Sequence, residues 1–449
     1  MKLHYTFTLL FFLFLITSCS KDEPVTTPVD QVIPDEDPVE EEEEIVQEVP
    51  YFTFNIDTGY YFDSIFKEGY IVIHNDQGEL LDYQKFVNGG QLIFEAEEGQ
   101  TVSDQLTITQ FVHLELQQGE DYYSIFTFPL IAKSSEWNLT KGISTFNPSG
   151  EFDVTLNDVE GWKNYNLSNK DGHGPGGSSY YKWFNNPEDA EPTVEIDGAD
   201  WFSNNDFLLT IIDANSNVKY VDIANVQQGD SIVLSSNDLL DFDDYLEIDL
   251  PTHDGFSHAV YGYESAQNYE SGALALNVSY DYVFTEPVDQ LKLGYLDRFS
   301  KFKTAVSVTE ENYIYKLEQY GAKPNAITLA NKGTFTISDS TQTNFSYTTD
   351  LTFEREKSVW STRRDFFDSD FSSTSWLVYA PQTDAIDIYA LPEAITDLYS
   401  NLDIDQIKHE STTLYLQSNS YQSFINRRFG TEKIDDGYVE ESMLFGEGI

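Results

Sequence analysis

The sequence predicts an all-β protein: tandem β-sandwich (Ig-like) modules and a β-rich C-terminal domain, preceded by a disordered N-terminal tether. From Tyr51 onward, apolar and polar residues alternate with the period of two that is typical of half-buried strands. The 29 Tyr and 32 Phe residues supply large side chains for sandwich cores. Turn residues such as Asn75–Gly78 separate the alternating segments. Helix is predicted only at Pro392–Ser400, and Ser420–Phe429 is ambiguous.

The N-terminal residues have the layout of an export signal. Lys2 supplies positive charge, and the apolar run Phe7–Ile16 is too short to span a bilayer as a helix. The segment Leu15–Cys19 then places the chain's single cysteine after the small residue Ser18. This segment resembles the lipobox of bacterial lipoproteins. The resemblance implies cleavage after Ser18 and acylation of Cys19, and the alternative is an ordinary secretory signal with an incidental cysteine.

Residues 19–50 are predicted to be a tether. Lys21, Asp22 and Glu23 resemble the surface-export signal of lipoproteins in Bacteroidota, which implies an outer-membrane anchor with the body facing the exterior. Prolines and the acidic block Glu40–Glu44 follow. Proline removes a backbone donor and like charges repel, so this segment is expected to be an extended, solvated spacer.

The chain is strongly acidic. Asp and Glu number 77 against 25 Lys and Arg, which gives a formal net charge of −52. Such a surface repels nucleic acid and anionic lipid. Nucleic acid is therefore not expected as a partner, and contact with the outer membrane is expected through the lipid. The single cysteine leaves no intramolecular disulfide to hold the fold, so the core must do so.

A repeated pattern supports two sandwich modules. When the chain is shifted against itself, Asp76 falls on Asp213, and after a short insertion Leu92–Phe94 meets Ile232–Leu234. The pattern resembles β-sandwich modules of Bacteroidota lipoproteins, and that resemblance carries no catalytic motif. The predicted organisation is a lipoprotein signal peptide (1–18), a lipidated acidic tether (19–50), sandwich module 1 (51–147), sandwich module 2 (148–285) and a β-rich domain (286–449).

Oxygen ligands for calcium are abundant, whereas no zinc pattern is present. His253 and His258 are spaced neither as in helical zinc proteases nor as in zinc fingers, so the histidines are expected at surfaces or in turns and no metal ligand is assigned. Asp213–Asn217 alternates oxygen side chains as a calcium loop does, yet Val218 stands where such a loop needs glycine. A hairpin turn is preferred there. No cofactor is predicted, with a structural calcium ion left open. Two further acidic candidates are Asp241–Asp244 and Asp435–Asp436.

One glycine loop is flanked by tryptophans. Gly172–Gly177 has the glycine spacing of a dinucleotide site, but Pro175 lies inside it and no βαβ unit surrounds it, so a mobile loop is predicted. Trp162, Trp183 and Trp201 flank the loop and are candidate platforms for stacking on a sugar, with a role in the core as the alternative.

Three functions are open on the sequence. The preferred one is a non-catalytic, lipid-anchored cell-surface protein that displays or binds a polysaccharide or a surface protein. The second is a structural spacer or adhesin-like stalk without a small-molecule site. The third is a surface hydrolase with its site in residues 286–449, although the chain contains no Gly-x-Ser-x-Gly elbow and no single Ser, His and Asp set stands out.

Overall fold

The computed structural model describes residues 49–116, 120–141, 148–171, 178–183, 191–213, 217–264, 269, 272–281, 288–362, 372–382 and 388–446. The signal peptide, Cys19, Lys21–Glu23 and the rest of the tether up to residue 48 lie outside these residues, as does the glycine loop Gly172–Gly177. Glu48–Ile449 form one compact unit.

The protein is nearly all β, which confirms the predicted fold class. Strands take up 55% of the described residues, which also contain two α-helices, α1 (Glu393–Thr396) and α2 (Tyr421–Arg428). Helix α1 lies inside the predicted helical stretch. The ambiguous stretch is helix α2, which Ser420 caps by accepting a 3.3 Å hydrogen bond from the backbone N–H of Ser423.

The strands are, in chain order, β1 (Phe52–Ile56), β2 (Phe66–Asn75), β3 (Leu80–Phe86), β4 (Gln91–Phe94), β5 (Gln105–Glu115), β6 (Asp121–Ala132), β7 (Ser135–Leu139), β8 (Gly150–Asn157), β9 (Asn164–Ser168), β10 (Ser178–Trp183), β11 (Thr193–Trp201), β12 (Phe207–Ile212), β13 (Val218–Ile223), β14 (Ser231–Ser235), β15 (Leu240–Asp241), β16 (Asp244–Asp249), β17 (Gly255–Tyr263), β18 (Ala273–Asp281), β19 (Gln290–Tyr295), β20 (Lys301–Glu310), β21 (Tyr313–Gly321), β22 (Phe335–Asp339), β23 (Ser346–Thr349), β24 (Arg355–Ser361), β25 (Ser372–Pro381), β26 (Lys408–Gln417) and β27 (Val439–Gly446).

Strands β1 to β7 form a two-sheet sandwich. One sheet has the order β4-β1-β7, with β1 antiparallel to β4 and parallel to β7. The opposing strands β3-β2-β5-β6 form one end of a longer sheet. Phe54, Phe86, Phe128 and Trp137 are buried between the two sheets, and Ile425 of helix α2 packs into the same core. Alternation of these aromatic residues with polar ones along each strand therefore builds the core that the sequence predicts.

Strands β8 to β14 repeat this arrangement. Strand β8 is antiparallel to β11 and parallel to β14, and the opposing sheet has the order β10-β9-β12-β13-β15. In both sandwiches the first strand pairs with the fourth and the seventh, and the other sheet contains the third, second, fifth and sixth strands in that order. Phe152, Leu167 and Leu209 lie in the core of this second sandwich. Two copies of one sandwich topology are thus present.

The strand correspondence predicted for the repeat is wrong. Asp213 follows β12, the fifth strand of its sandwich, whereas Asp76 follows β2, the second strand of the other. Similarly, Leu92–Phe94 belongs to a fourth strand and Ile232–Leu234 to a seventh. A hairpin in one sheet followed by a strand in the other occurs twice in each sandwich. Because the period-two pattern is the same at both places, the sequence alone does not separate them.

Twelve strands form one sheet in the order β18-β17-β20-β21-β27-β26-β24-β25-β6-β5-β2-β3. The first sandwich joins this sheet where β6 runs parallel to β25, with Asp121–Thr127 beside Ser372–Val378. Strand β17, from the predicted module 148–285, is antiparallel to β20 from the predicted domain 286–449. Side chains of β12, β16 and β19 pack in one core with the large sheet. Strand pairing and shared cores thus link all three predicted regions, and the domain boundaries stay a prediction.

Side chains bond to backbone groups at both edges of the large sheet. At β18, Asn164 donates from Nδ2 to the carbonyl oxygen of Val278 (3.0 Å), and the N–H of Ala275 donates to the hydroxyl of Ser168 (3.2 Å). At β3, Gln100 donates from Nε2 to the carbonyl oxygen of Leu81 (3.1 Å). These bonds occupy backbone groups that an incoming strand would otherwise use.

Candidate binding cleft in the second sandwich

Trp162 lies in the core of the second sandwich. Its side chain is only 2% exposed, and its indole N–H donates a 2.8 Å hydrogen bond to the carbonyl oxygen of Glu191. Its ring centroid is 5.5 Å from that of Tyr165. A buried ring with a satisfied polar group serves packing, so the core alternative describes this residue better than a sugar platform.

Trp201 and Trp183 differ from Trp162. Trp201 is half-buried at the end of β11, packs against the same core and donates from Nε1 to the carbonyl oxygen of Val226 (2.8 Å). Trp183 ends β10, where its backbone pairs with that of Asn164, and its side chain lies outside the described residues. The structure describes the side chains of two predicted platforms, Trp162 and Trp201, and Trp201 is the more exposed of the two.

A cleft of about 560 Å³ opens beside the strand end that carries Trp201. Trp201 lies opposite Gly150 and Asp200 opposite Glu151 in the β11–β8 pairing, and Gly150, Glu151 and Asp200 line the cleft. The lining residues include Gly150, Glu151, Asp153, Asp200, Gln228 and Gly229.

Local backbone features shape this cleft. The β11–β8 pairing shifts register between Ile196 and Ala199, and Gly198 in that bulge has a φ of +65°, which a side chain rarely tolerates. The N–H of Gly198 donates to Asp153 Oδ1 (2.9 Å), so the bulge fixes one of the lining carboxylates. Gly229 also lines the cleft, and its N–H donates to the carbonyl oxygen of Glu151 (2.8 Å). Bulge and turn together hold the acidic groups at the strand ends.

The electrostatic character of the cleft is negative. Glu151 is exposed, while Asp153 and Asp200 are half-buried. The surrounding segments 148–162, 191–201 and 224–238 contain no Lys or Arg. The carboxylates of Glu151, Asp153 and Asp200 favour a ligand that carries positive charge or many hydroxyl groups.

The sequence could not single out these residues. With 77 acidic residues in the chain, a pair of acids carries almost no signal, so the sequence predicts no role for Glu151, Asp153 or Asp200. The proximity of Trp201 to the cleft was the one usable indication, because the predicted platform and the cleft share the end of β11.

The calcium candidates make contacts within the protein. Asp213 accepts from the N–H of Asn217 through Oδ1 (2.8 Å), and its own N–H donates to the carbonyl oxygen of Asn217 (3.0 Å). Residues 214–216 lie outside the described residues, so the preferred hairpin turn stays a prediction. Asp243 accepts from the N–H of Asp297 (2.9 Å). Asp244 and Asp436 form ion pairs with Lys323 and Lys301, respectively. Within the described ranges, no three His, Cys, Asp or Glu side chains converge so as to hold a metal ion.

Two histidines lie where the sequence did not predict them. His74 and His258 are strand residues with exposures of 4% and 7%, and not surface or turn residues. Burial lowers the pKa of each imidazole to about 4, because the charged form loses its hydration. Both side chains are therefore neutral at pH 7. The period-two pattern of the sequence does not indicate that His74 and His258 are buried, because a polar residue is normally expected on the exposed face of a strand.

The region 286–449 contains buried charged groups on strand β24. Arg355 is 2% exposed, donates to Glu440 at 2.6 Å, and lies with its guanidinium carbon 3.3 Å from the centre of the Tyr415 ring. The adjacent Glu356 is 4% exposed and accepts a hydrogen bond from the Tyr347 hydroxyl. Burial raises the pKa of Glu356 to about 7. These groups are enclosed by other side chains, which suits a structural role better than contact with a substrate.

Comparison with known proteins adds no functional information. The sequence matches no protein family, and no curated protein shows significant similarity to it. In the described portion of the chain, no helix is long and apolar enough to cross a membrane.

Proposed function

We propose that this chain is a lipid-anchored cell-surface protein that binds a glycan or protein partner without catalysing a reaction. Cys19 is the proposed lipid-attachment site, Lys21, Asp22 and Glu23 direct the protein to the exterior of the outer membrane, and residues up to 50 separate the folded body from the bilayer. The acidic cleft beside Trp201 is the proposed binding site.

The observation that carries this proposal is the cleft itself. It has a volume of about 560 Å³, within the range of ligand sites, and it offers three carboxylates and the amide of Gln228. Glu151 is exposed and Asp200 is half-buried, so a ligand in solution can contact both residues. This arrangement supports recognition of a ligand.

The strand pairing between β6 and β25 favours a compact binding body over a stalk. In a stalk built from tandem modules, each module contacts its sequence neighbours alone. Here residues 121–127 pair with residues 372–378, so the chain folds back on its first sandwich. Strands far apart in the sequence therefore share one sheet, which is not the arrangement of a stalk of tandem modules.

The test is a binding assay on whole cells that display the protein. Fluorescently labelled soluble polysaccharides and surface-protein extracts are the probes, and wild type is compared with Asp200→Asn and with Glu151→Gln. Glu247→Gln is the matched control, because it removes the same charge from an exposed position on β16. We expect a bound probe whose signal falls in the two cleft variants and not in the control. Equal signals in all four proteins, or no bound probe, would reject the cleft as a binding site.

A further inference from the structure

Strand β14 is an edge strand among the described residues: β8 pairs with one side of it, and no described strand pairs with the other. The N–H of Asp153 in β8 donates to the carbonyl oxygen of Asp230 (2.9 Å), and the register places Ser231 beside Asp153 and Val233 beside Thr155. In such a parallel ladder, the even-numbered residues of this segment bond to β8, and the backbone groups of the odd-numbered residues point away from it. Ser231 and Val233 therefore direct N–H and C=O groups to the outside of the sheet.

This edge differs from the edges of the large sheet. Val233 is 70% exposed and Ser231 is also exposed, whereas Ile232 and Leu234 pack against the core of the sandwich. In the part of the chain that the structure describes, no side chain bonds to the outward groups of Ser231 and Val233. The strand also lacks the lysine or proline that commonly protects an edge.

The acidic cleft lies at the beginning of the same strand. Gly229 lines the cleft and is two residues before Ser231. On the outer face of the sheet, Asp153 lies beside Ser231, and Glu195 lies beside Thr155. Serine is short, so a long side chain on an added strand can pass over Ser231 towards Asp153, two strand spacings or about 10 Å away. An unpaired edge and a cation-attracting face thus adjoin each other.

We propose that the outer edge of β14 accepts an extended, basic polypeptide segment as an additional strand, with lysine or arginine side chains directed towards the cleft. The inference rests on the proposed binding function and names the partner class for that site. Backbone hydrogen bonds to Ser231 and Val233 fix the segment, an apolar residue covers Val233, and alternate basic residues meet the carboxylates.

A second copy of this chain fits the edge less well. The segment Ser231–Ser235 (SIVLS) is self-complementary in an antiparallel register, with Val233 at its centre. Two copies would nevertheless bring together two acidic sheet faces, each belonging to a chain of net charge −52. Like charges on facing surfaces oppose association, so charge complementarity selects a basic partner.

Val233→Pro is the decisive variant. Because the N–H of Val233 points away from β8, proline at this position removes no hydrogen bond of the β14–β8 ladder, and it blocks the outer edge. Val233→Thr is the matched control, since it keeps the N–H and the strand propensity. Val233→Lys is a second blocking variant, which leaves the backbone unchanged and repels a basic segment. Thermal unfolding of each variant checks that the fold is intact.

The probe is a synthetic peptide in which lysine alternates with threonine, and the control peptide has glutamate in place of lysine. Binding to the full chain, purified in detergent, is measured by fluorescence anisotropy at low and at high salt. We expect the lysine peptide to bind and the glutamate peptide not to bind. Val233→Pro and Val233→Lys should each weaken the affinity for the lysine peptide about tenfold or more, and Val233→Thr should change it less than about twofold. Glu151→Gln with Asp200→Asn should weaken it and reduce its salt dependence.

Binding that Val233→Pro leaves unchanged would overturn strand addition, and so would equal binding of the glutamate peptide. Self-association of wild type that Val233→Pro abolishes, without any peptide binding, would assign the edge to a second copy and overturn the proposal. A polysaccharide that binds wild type, is lost in Asp200→Asn and is retained in Val233→Pro would also overturn it. In that last case strand addition would fail while the proposed binding function stood, so failure of the one can be told from failure of the other.

Discussion

The indole N–H of Trp376 donates a 2.9 Å hydrogen bond to the hydroxyl of Thr127, between residues 249 positions apart. Trp376 is 2% exposed and Thr127 is fully buried. The same hydroxyl lies 3.0 Å from that of Thr109, so it connects β5, β6 and β25. This bond reinforces the junction at which the first sandwich becomes part of the large sheet.

Thr127→Val should destabilise the protein by about 1–3 kcal/mol, because it leaves the buried N–H of Trp376 without an acceptor. The measurement is the free energy of unfolding from urea denaturation. Thr336→Val, at an exposed position on β22, is the control and should have little effect. Equal stability of the two variants would show that the hydrogen bond does not contribute to the junction.

Trp162→Ala should cost about 3–5 kcal/mol, since it opens a cavity in the second sandwich and leaves the carbonyl of Glu191 without its donor. Trp162→Phe should cost less, because it keeps most of the ring. Thermal or urea unfolding measures both. A platform for a sugar would behave differently: Trp162→Ala would leave stability unchanged and reduce the tryptophan fluorescence response to polysaccharide. Trp183→Ala tests the same hypothesis for the predicted platform whose side chain is not described.

Glu356 should make the protein less stable as pH rises from about 4.5 to about 7. Burial raises the pKa of its carboxyl from 4.5 to about 7, so the folded state binds the proton more tightly than the unfolded state in this interval. Its contribution to stability is complete below pH 4.5 and is lost as pH rises through 7. Glu356→Gln keeps a partner for Tyr347 and should remove roughly 3 kcal/mol of this pH dependence. An unchanged pH profile of urea unfolding would contradict the assignment.

His258 should make the protein less stable as pH falls, the opposite of the effect of Glu356. Burial lowers its pKa from 6.5 to about 4, so the unfolded state binds the proton more tightly between these values, and stability is lost as pH falls through the interval. His258→Gln should flatten this loss by roughly 3 kcal/mol, and His74 should account for what remains. His253→Gln, in a half-buried position, is the control. If His258→Gln has the same pH profile of stability as wild type and as His253→Gln, burial of His258 does not set the acid stability.

Anchoring gives a prediction that is independent of the fold. Cys19→Ala should prevent acylation, and the protein should then appear in soluble fractions and not with the outer membrane. Replacing Lys21, Asp22 and Glu23 with alanine should keep the lipid and abolish surface exposure, measured by protease shaving of whole cells. Shaving of the triple variant as efficient as that of wild type would reject the export signal and leave the lipoprotein assignment intact.

The all-β fold was predictable because period-two alternation directly reports half-buried strands. The sequence does not predict that regions 51–147 and 286–449 share one sheet. The parallel pairing of β6 with β25 depends on backbone groups, which every sequence carries. Two sandwiches share one strand topology, but the strand correspondence predicted for the repeat is wrong, since both hairpins of a sandwich have the same pattern. Short-range periodicity therefore defines strands well and their partners poorly.

The candidate site was less predictable than the fold. Trp201 was selected from its position beside the glycine loop, and it does lie near the cleft, but the carboxylates of Glu151, Asp153 and Asp200 were hidden among many other acids. Their proximity depends on the bulge at Gly198, which alternation does not encode. Burial of His74 and His258 was likewise decided by strand pairing that the sequence leaves open.

The core of the first sandwich contains Ile425 and Phe429 beside Trp137, whose ring stacks on Phe429 with centroids 4.5 Å apart. During synthesis, residues 51–139 are made long before residues 421–429. The growing chain must therefore keep Trp137 and its apolar neighbours uncovered while nearly three hundred further residues are added. Contacts of such sequence separation form slowly. The first sandwich is made early and completed late, so an interrupted or truncated chain would leave an aromatic surface open to aggregation.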